Sequence, residues 1–280
     1  MSRSRARARS AASSTSGASR RAANAVASDY SFGHSRRAAD RLALVARNFE
    51  PTSRAFLEEA APRGCARALD LGCGPGFTTR LLREVCAPGE LVGLDASESF
   101  VALAAASEAP GLAYQVHDVT QMPFPGGAAD LIHARLLLSH LADAESVVVS
   151  WWAQLRPGGR LLLDEVESIR SEDPAFEMYL SLVRQLLASR GQQLEIGPRI
   201  ERATRVAQRV HCELRELTLP PARAAEMFAP NLAEFRTQAA IRAQAREDVL
   251  DELAAGLRLR VQGKSGAPVT WCMRQLAIEA

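Results

Sequence analysis

The sequence lacks several features that mark broad classes of protein. No run of apolar residues approaches the roughly 20 that a membrane-spanning helix needs, so we expect no membrane segment. No Cys-x-x-Cys pair or cysteine–histidine cluster has metal-ligand spacing, so we predict no metal site. The five cysteines, an odd number without a secretory signal, are typical of reduced thiols and favour a cytoplasmic location.

Acidic residues are absent from positions 1–28, which hold six arginines. The rest of the chain has 28 basic and 32 acidic residues, and this mildly acidic balance argues against a nucleic-acid-binding body. We predict a disordered basic tail over 1–28; a polyanion-binding arm and a transit peptide are the alternatives. One lysine against 33 arginines indicates a GC-rich genome of bacterial type.

From residue 66 onward, short apolar segments alternate with helical patterns. We predict strands over Ala66–Leu71, Glu90–Leu94, Leu112–Val116, Asp130–Ala134 and Arg160–Val166, with helices between them. This spacing predicts βαβ units in a doubly wound, mostly parallel sheet.

The segments on either side of this alternation are mostly helical. Residues 29–62 are predicted to hold N-terminal helices, which we expect Pro51 to divide. Residues 66–167 form the predicted core, and 171–265 a helical region that covers the substrate as a lid. A final strand is predicted over Val269–Ile278, so that 29–280 make one domain after the tail.

The first predicted strand feeds a glycine-rich loop, Gly72-Cys73-Gly74-Pro75-Gly76. Glycines allow tight turns and let a ligand approach the backbone, and ligands of open α/β sheets bind at this edge. The loop is one residue tighter than the pyrophosphate pattern Gly-x-Gly-x-x-Gly. The preceding Asp70 would oppose a pyrophosphate and would suit a cationic group such as an ammonium.

Two further acids follow the next two predicted strands. Asp95 lies 23 residues after Gly72, near the spacing of a carboxylate that binds ribose hydroxyls. Asp118 follows the third strand, where it could accept from an adenine amino group. Three acids at successive strand ends predict a nucleoside-type cofactor with a cationic group.

The motifs resemble those of the class I S-adenosylmethionine-dependent methyltransferases. Ala68–Gly76 is similar to the first motif, Gly93–Ser97 to the second, Asp118-Val119 with Met122–Phe124 to the third, and Leu155–Leu161 to the turn before the fifth strand. The resemblance covers about 30–167. It implies a seven-stranded sheet whose last strand is antiparallel, and S-adenosylmethionine as cofactor.

The resemblance also implies a role for individual residues. Those implied for the cofactor are Asp70, Gly72, Cys73, Gly74 and Gly76 for the methionine moiety, Asp95 with neighbouring Ala96 for the ribose, Asp118 and Val119 for the adenine, Ala134 and Arg135 beside the sulfonium, and Tyr30 and Arg41 in covering helices.

Candidates for a catalytic base are His140 and Glu165, each of which could instead be structural; His133 and Asp164 are further candidates. The Asn/Asp-Pro-Pro-Tyr/Phe segment of amino-methylating nucleic-acid enzymes is absent, which favours a small-molecule acceptor methylated on O, N or C. Secondary metabolism is the expected setting. A non-catalytic binding or regulatory protein and, less favoured, a nicotinamide-dependent oxidoreductase are the alternatives. A homodimer is left open.

Overall fold

The computed structural model describes residues 36–264 and 266–280. The predicted tail over 1–28 and the candidate Tyr30 therefore lie outside the described residues. The helices are α1 (Arg36–Ala60), α2 (Phe77–Cys86), α3 (Glu98–Ala104), α4 (Ala144–Trp152), α5 (Pro174–Ala188), α6 (Gly197–Ala203), α7 (Pro221–Phe235), α8 (Ala239–Arg242) and α9 (Glu247–Val261). The strands are β1 (Arg67–Leu71), β2 (Glu90–Asp95), β3 (Leu112–Val116), β4 (Ala129–Arg135), β5 (Leu155–Ser171), β6 (Gln208–Leu219) and β7 (Val269–Glu279).

The described strands form one seven-stranded sheet in the order β3-β2-β1-β4-β5-β7-β6. Strands β1 to β5 pair in parallel, and β7 runs antiparallel to both of its neighbours. The predicted fold class and the antiparallel last strand are confirmed. The order reverses at β1 and β4, so the carboxyl ends of these strands open a crevice at a topological switch point.

Apolar clusters cover both faces of the sheet, as its near-continuous apolar strands require. On one face, Phe56 and Leu57 of α1 pack with Leu81 and Leu82 of α2. On the other face, the fully buried Trp151 of α4 packs against the sheet, and its indole Nε1 donates to the Val119 carbonyl at 2.7 Å. Both clusters anchor the carboxyl ends of the strands around the crevice.

Helix α1 corrects one expectation: it is continuous from Arg36 to Ala60 with Pro51 inside it. Proline removes one helical hydrogen bond and usually kinks or ends a helix. Here Phe49 and Phe56, which flank Pro51, are both fully buried. Burial on both sides of Pro51 keeps the helix continuous, because tertiary packing outweighs the local penalty.

A second cluster of helices follows the core and lies over the crevice. Helices α5, α7 and α9 share an apolar cluster with Phe49 of α1 and with Ile169 of β5. Within it the Tyr179 and Phe228 rings stack with centroids 4.2 Å apart. The cover is therefore a packed part of the domain rather than a detached loop.

The structure also bears on the cysteines and on membrane-spanning helices. All five cysteines are free thiols. Among the residues that the structure describes, none of the helices is long and apolar enough to cross a bilayer.

Candidate active site

A cavity of about 560 Å³ lies at the carboxyl ends of β1, β2 and β4 and continues beneath the helical cover. The described lining divides into two halves. The cofactor half, as we call it, is lined by Gly72–Pro75, Phe77, Thr78, Asp95–Ser97, Phe100, Val119, Thr120 and Arg135. The acceptor half is lined mainly by side chains of the cover and of β5 and β7.

The glycine loop forms the floor of the cofactor half. Gly72 has φ +63°, and a Cβ added there would lie 2.6 Å from Leu137 Cδ1. Gly76 has φ +81° at the N-cap of α2, and its added Cβ would meet the Tyr114 hydroxyl at 2.8 Å. Both positions therefore need glycine for conformation and for space.

Asp95 at the end of β2 holds this loop and faces the cavity. Its Oδ2 accepts from the Gly74 N–H at 2.8 Å and its Oδ1 accepts from the Ser97 N–H at 2.8 Å. A carboxylate has about four acceptor sites, so these bonds leave capacity for hydroxyl donors. The structure therefore brings Asp95 and Ala96 to the cavity together with Gly72, Cys73 and Gly74.

Asp70 is placed differently from the prediction. It is 1% exposed, and it is not among the residues that line the cavity. Its Oδ2 accepts from the hydroxyls of Thr78 and Thr79 at 2.8 and 2.7 Å, and its Oδ1 lies 2.9 Å from His133 Nδ1. Its carboxylate therefore ties β1 to α2 and β4, and a direct contact with a ligand ammonium has no support in this geometry.

Three more residues predicted for the cofactor also stay outside the lining: Gly76, Asp118 and Ala134. Asp118 Oδ1 accepts from the backbone N–H and the hydroxyl of Thr120 at 2.9 and 2.7 Å, so it shapes the turn after β3. Val119 does line the cavity, as do Arg135 and Arg41.

Arg135 enters the cavity from the end of β4 through a buried polar network. Its Nη1 donates to Ser53 Oγ at 3.2 Å, and that hydroxyl donates to Asp164 Oδ2 at 2.8 Å. Burial lowers the pKa of Arg135, while the charge of Asp164 raises it. The candidate base Asp164 is therefore a partner of this network and does not line the cavity.

The geometry can now be compared with known proteins. Residues 69–163 match the model of the family described as "Methyltransferase domain". Over these residues the chain is similar to that family. The predicted resemblance is confirmed for the part of the chain that contains the glycine loop and Asp95.

Relatives of the methyltransferase domain match over a similar segment. The chain is 36% identical over 98 residues to a trans-aconitate 2-methyltransferase of Variovorax paradoxus, a match that covers 35% of this chain and 38% of that protein. It is 32% identical over 118 residues to the nocamycin O-methyltransferase of Saccharothrix syringae, with 40% and 42% covered. The matches thus span about two fifths of these relatives.

Solved structures extend the likeness of fold to most of the chain. A Bacillus halodurans protein, assigned only provisionally as a methyltransferase, has a TM-score of 0.56 at 15% identity, covering 81% of this chain and 98% of its own. Phosphoethanolamine N-methyltransferase 2 of Haemonchus contortus, solved with S-adenosyl-L-methionine, has a TM-score of 0.52 at 18% identity, covering 82% and 53%.

Glu165, a predicted catalytic residue, lies beneath the loop that follows β4. Its Oε1 accepts from the N–H groups of Leu137 and Leu138 at 2.8 and 2.9 Å. Burial raises its pKa to about 8, and it does not line the cavity. The geometry supports a positioning role, because Leu137 contacts the space beside Gly72 and Leu136 holds φ +53°.

His140, the other predicted catalytic residue, does line the cavity. Burial, together with the charges of Arg41 and Arg190, lowers its pKa to about 3. The imidazole is therefore neutral at physiological pH but is a weak proton acceptor. His133, in contrast, is the buried partner of Asp70.

The acceptor half contains residues that the sequence analysis did not single out. An aromatic wall, which we define as Phe49, Tyr179, Phe228 and Trp271, comes from α1, α5, α7 and β7. Phe49 and Trp271 meet edge to face at 5.3 Å. Apolar positions at helical spacing signalled a buried face here, but such spacing does not tell a core from a pocket.

One group of side chains on the outer face bears on the predicted absence of metal. Glu59, His211 and Glu213 lie close enough together to share an ion. Arg215 Nη2, however, lies 3.2 Å from Glu59 Oε2 and 3.0 Å from Glu213 Oε2. The Arg215 guanidinium therefore already neutralises these two carboxylates. The absence of metal stays a prediction.

Proposed function

We propose that this chain transfers a methyl group from S-adenosylmethionine to a small-molecule acceptor enclosed by the cavity. The observation that carries the proposal is one continuous cavity, which joins the glycine loop and Asp95 to the aromatic wall under the cover. A cofactor floor that opens into a covered chamber suits transfer between two molecules held side by side.

The residues present fit the cofactor. Gly72 and Gly74 line the cavity without side chains, so a ligand can approach the backbone of the loop. Asp95 would accept from the ribose hydroxyls, Val119 and Phe100 offer apolar surface to the adenine, and Arg41 offers charge to a carboxylate. The bound cofactor supplies an activated methyl group on sulfur, and the chain orients the acceptor and excludes water.

Calorimetry with S-adenosylhomocysteine tests the cofactor assignment. We expect the wild type to bind S-adenosylhomocysteine. Titration of the wild type with NADH should give no heat of binding. Asp95→Ala should weaken binding about 10- to 100-fold, because it removes a charged acceptor and the Gly74 anchor. Asp248→Ala, an exposed acid paired with Arg246, is the matched control and should bind as the wild type does.

Equal affinity of the wild type and Asp95→Ala would contradict the ribose assignment, and binding of NADH alone would support the oxidoreductase alternative.

A role in secondary metabolism belongs to the same proposal. It is supported by the match to an enzyme named for nocamycin methylation, which covers 40% of this chain. The cytoplasmic location and a homodimer stay predictions, and light scattering of the purified chain would test the dimer.

A further inference from the structure

The chain contains three tryptophans, and the indole N–H groups of two of them are hydrogen-bonded. Trp151 Nε1 donates to the Val119 carbonyl at 2.7 Å, and Trp152 Nε1 donates to the Glu279 carbonyl at 3.1 Å. Trp271 differs, because its Nε1 is buried and has no hydrogen-bond partner among the residues that the structure describes. An indole nitrogen can only donate, so this N–H needs an acceptor.

Trp271 stands on the face of the sheet that the helical cover shields. In β7 it lies opposite Ile169 of β5 and Leu217 of β6, so the three side chains share that face. Its ring meets Phe49 edge to face at 5.3 Å and lies 6.3 Å from the Phe228 ring. Because Trp271, Ile169, Phe49 and Phe228 all line the cavity, the indole forms part of the wall of the acceptor half.

The neighbours of Trp271 do not offer an acceptor for its N–H. The side chains of Ile169, Leu217, Phe49 and Phe228 are hydrocarbon, and the backbone of β7 at Trp271 pairs with a strand on each side. A buried N–H without a partner costs free energy. A molecule bound in the cavity would supply the acceptor and relieve that cost.

The surroundings of Trp271 restrict which acceptor group suits it. The indole N–H is a neutral donor, and the side chains around it are apolar. A carboxylate at this position would keep a charge among apolar rings with one neutral donor, which is costly. A carbonyl oxygen is satisfied by one donor, and the apolar body of the same molecule can pack against the rings.

We propose that the methyl acceptor is a neutral carbonyl compound with an apolar body, whose carbonyl oxygen accepts from Trp271 Nε1. The proposal rests on the function proposed above, because the same cavity must hold the cofactor at the glycine loop. Trp271 is then a specificity-determining residue that binds and orients this molecule at the wall. One such hydrogen bond should favour the carbonyl compound about 10-fold over the hydrocarbon of the same shape.

The indole N–H signals of the full chain, labelled with 15N in its tryptophans and saturated with S-adenosylhomocysteine, test the bond directly. A hydrogen bond deshields the donated proton, so we expect two signals at low field and the Trp271 signal at higher field. Trp271→Phe assigns the third signal by removing it. Titration with 1-indanone or 1-tetralone should move the Trp271 signal downfield. Indane and tetralin, which keep the rings and lack the oxygen, should not move it downfield.

Equilibrium dialysis of the same compounds measures the selectivity. The wild type should bind 1-indanone about 10-fold more tightly than indane or indane-1-carboxylate. Trp271→Phe should lose this preference and keep the wild-type affinity for S-adenosylhomocysteine. Trp152→Phe is the matched control, since its N–H bonds to Glu279 outside the cavity lining, and it should keep the preference.

Four results would overturn the proposal: a Trp271 signal at low field before any ligand is added, equal shifts with ketone and hydrocarbon, tighter binding of the carboxylate, or no binding of either ketone. These results come from the wild type, so they decide the matter even where Trp271→Phe does not fold. Calorimetry with S-adenosylhomocysteine is done first, because a chain that does not bind it counts against the proposed function. The ketone titration without cofactor would then still report on the Trp271 bond.

Discussion

The two halves of the cavity are built in different ways. The cofactor half consists mainly of backbone and short side chains at the ends of neighbouring strands, where the Gly74 N–H donates to Asp95 Oδ2. The acceptor half consists of large side chains from elements far apart in the chain, such as Phe49 of α1 and Trp271 of β7. The shape of the cofactor half thus depends on the conformation of a loop, and the shape of the acceptor half depends on the packing of side chains.

This difference separates what each half depends on. A loop conformation fails when a residue cannot adopt the required φ or fills the ligand's space. A packing arrangement fails when buried volume is lost. Substitutions in the two halves should therefore have effects that can be measured apart, on ligand affinity and on stability.

The largest expected effect is on the acceptor half. Phe228 is 2% exposed, stacks on Tyr179 at 4.2 Å and meets Phe176 edge to face at 5.6 Å. Phe228→Ala should lower the free energy of unfolding by about 3–5 kcal/mol, as measured by urea denaturation, because it leaves a cavity in the cover. Phe228→Leu should lose less, since it retains most of the volume.

The folded Phe228→Ala protein should still bind S-adenosylhomocysteine with wild-type affinity. A parallel loss of cofactor affinity and stability would show that the two halves are one cooperative structure.

The next effect concerns the cofactor half. Gly72→Ala adds a Cβ at φ +63° that would lie 2.6 Å from Leu137 Cδ1, so the leucine must shift. Both residues line the cavity, so this shift changes the shape of the cofactor half. We expect affinity for S-adenosylhomocysteine to fall about 10- to 100-fold in calorimetry, with a smaller loss of stability of about 1 kcal/mol. Gly64→Ala is a matched control because Gly64 has φ +70° with no atom within 4 Å of its added Cβ.

The control should show the same backbone strain in denaturation and no change in affinity. Weaker binding in both variants would mean that strain, and not the filled space beside Leu137, is responsible.

The sequence predicted the cofactor half well because its parts are contiguous. A strand, a glycine loop and an acid at the next strand end follow one another along the chain, and the parallel pairing of β1 with β2 brings them together. The prediction erred on side-chain direction. Asp70 and Asp95 both stand at strand ends, yet Thr78, Thr79 and His133 take the carboxylate of Asp70 below the loop.

The acceptor half was harder to predict because no motif carries it. Arg190 and His140 lie 50 positions apart in the sequence, and both line the cavity in the folded chain. The division of α1 at Pro51 was wrong for the related reason that burial of Phe49 and Phe56 is a tertiary effect. Patterns in the sequence identify helices, whereas packing decides which of their faces line a pocket.

The smallest expected effect lies where the halves join. Glu165 supports the loop that carries Leu137, and burial raises its pKa to about 8 from an ordinary 4.5. Between these values the folded state keeps a proton that the unfolded state releases, so the free energy of unfolding falls as pH rises. The limit for one group is about 1.4 kcal/mol per pH unit.

Glu165→Gln removes this titration and keeps a carbonyl oxygen that can accept from Leu137 and Leu138. Urea denaturation at pH 5 and pH 7.5 should therefore show a smaller loss of stability with rising pH in Glu165→Gln than in the wild type. Glu98→Gln, at an exposed acid that starts α3, should follow the wild type. If Glu165→Gln keeps the wild-type slope, Glu165 is ionised in the fold, and the loop between the two halves is held by a charge rather than by a neutral acid.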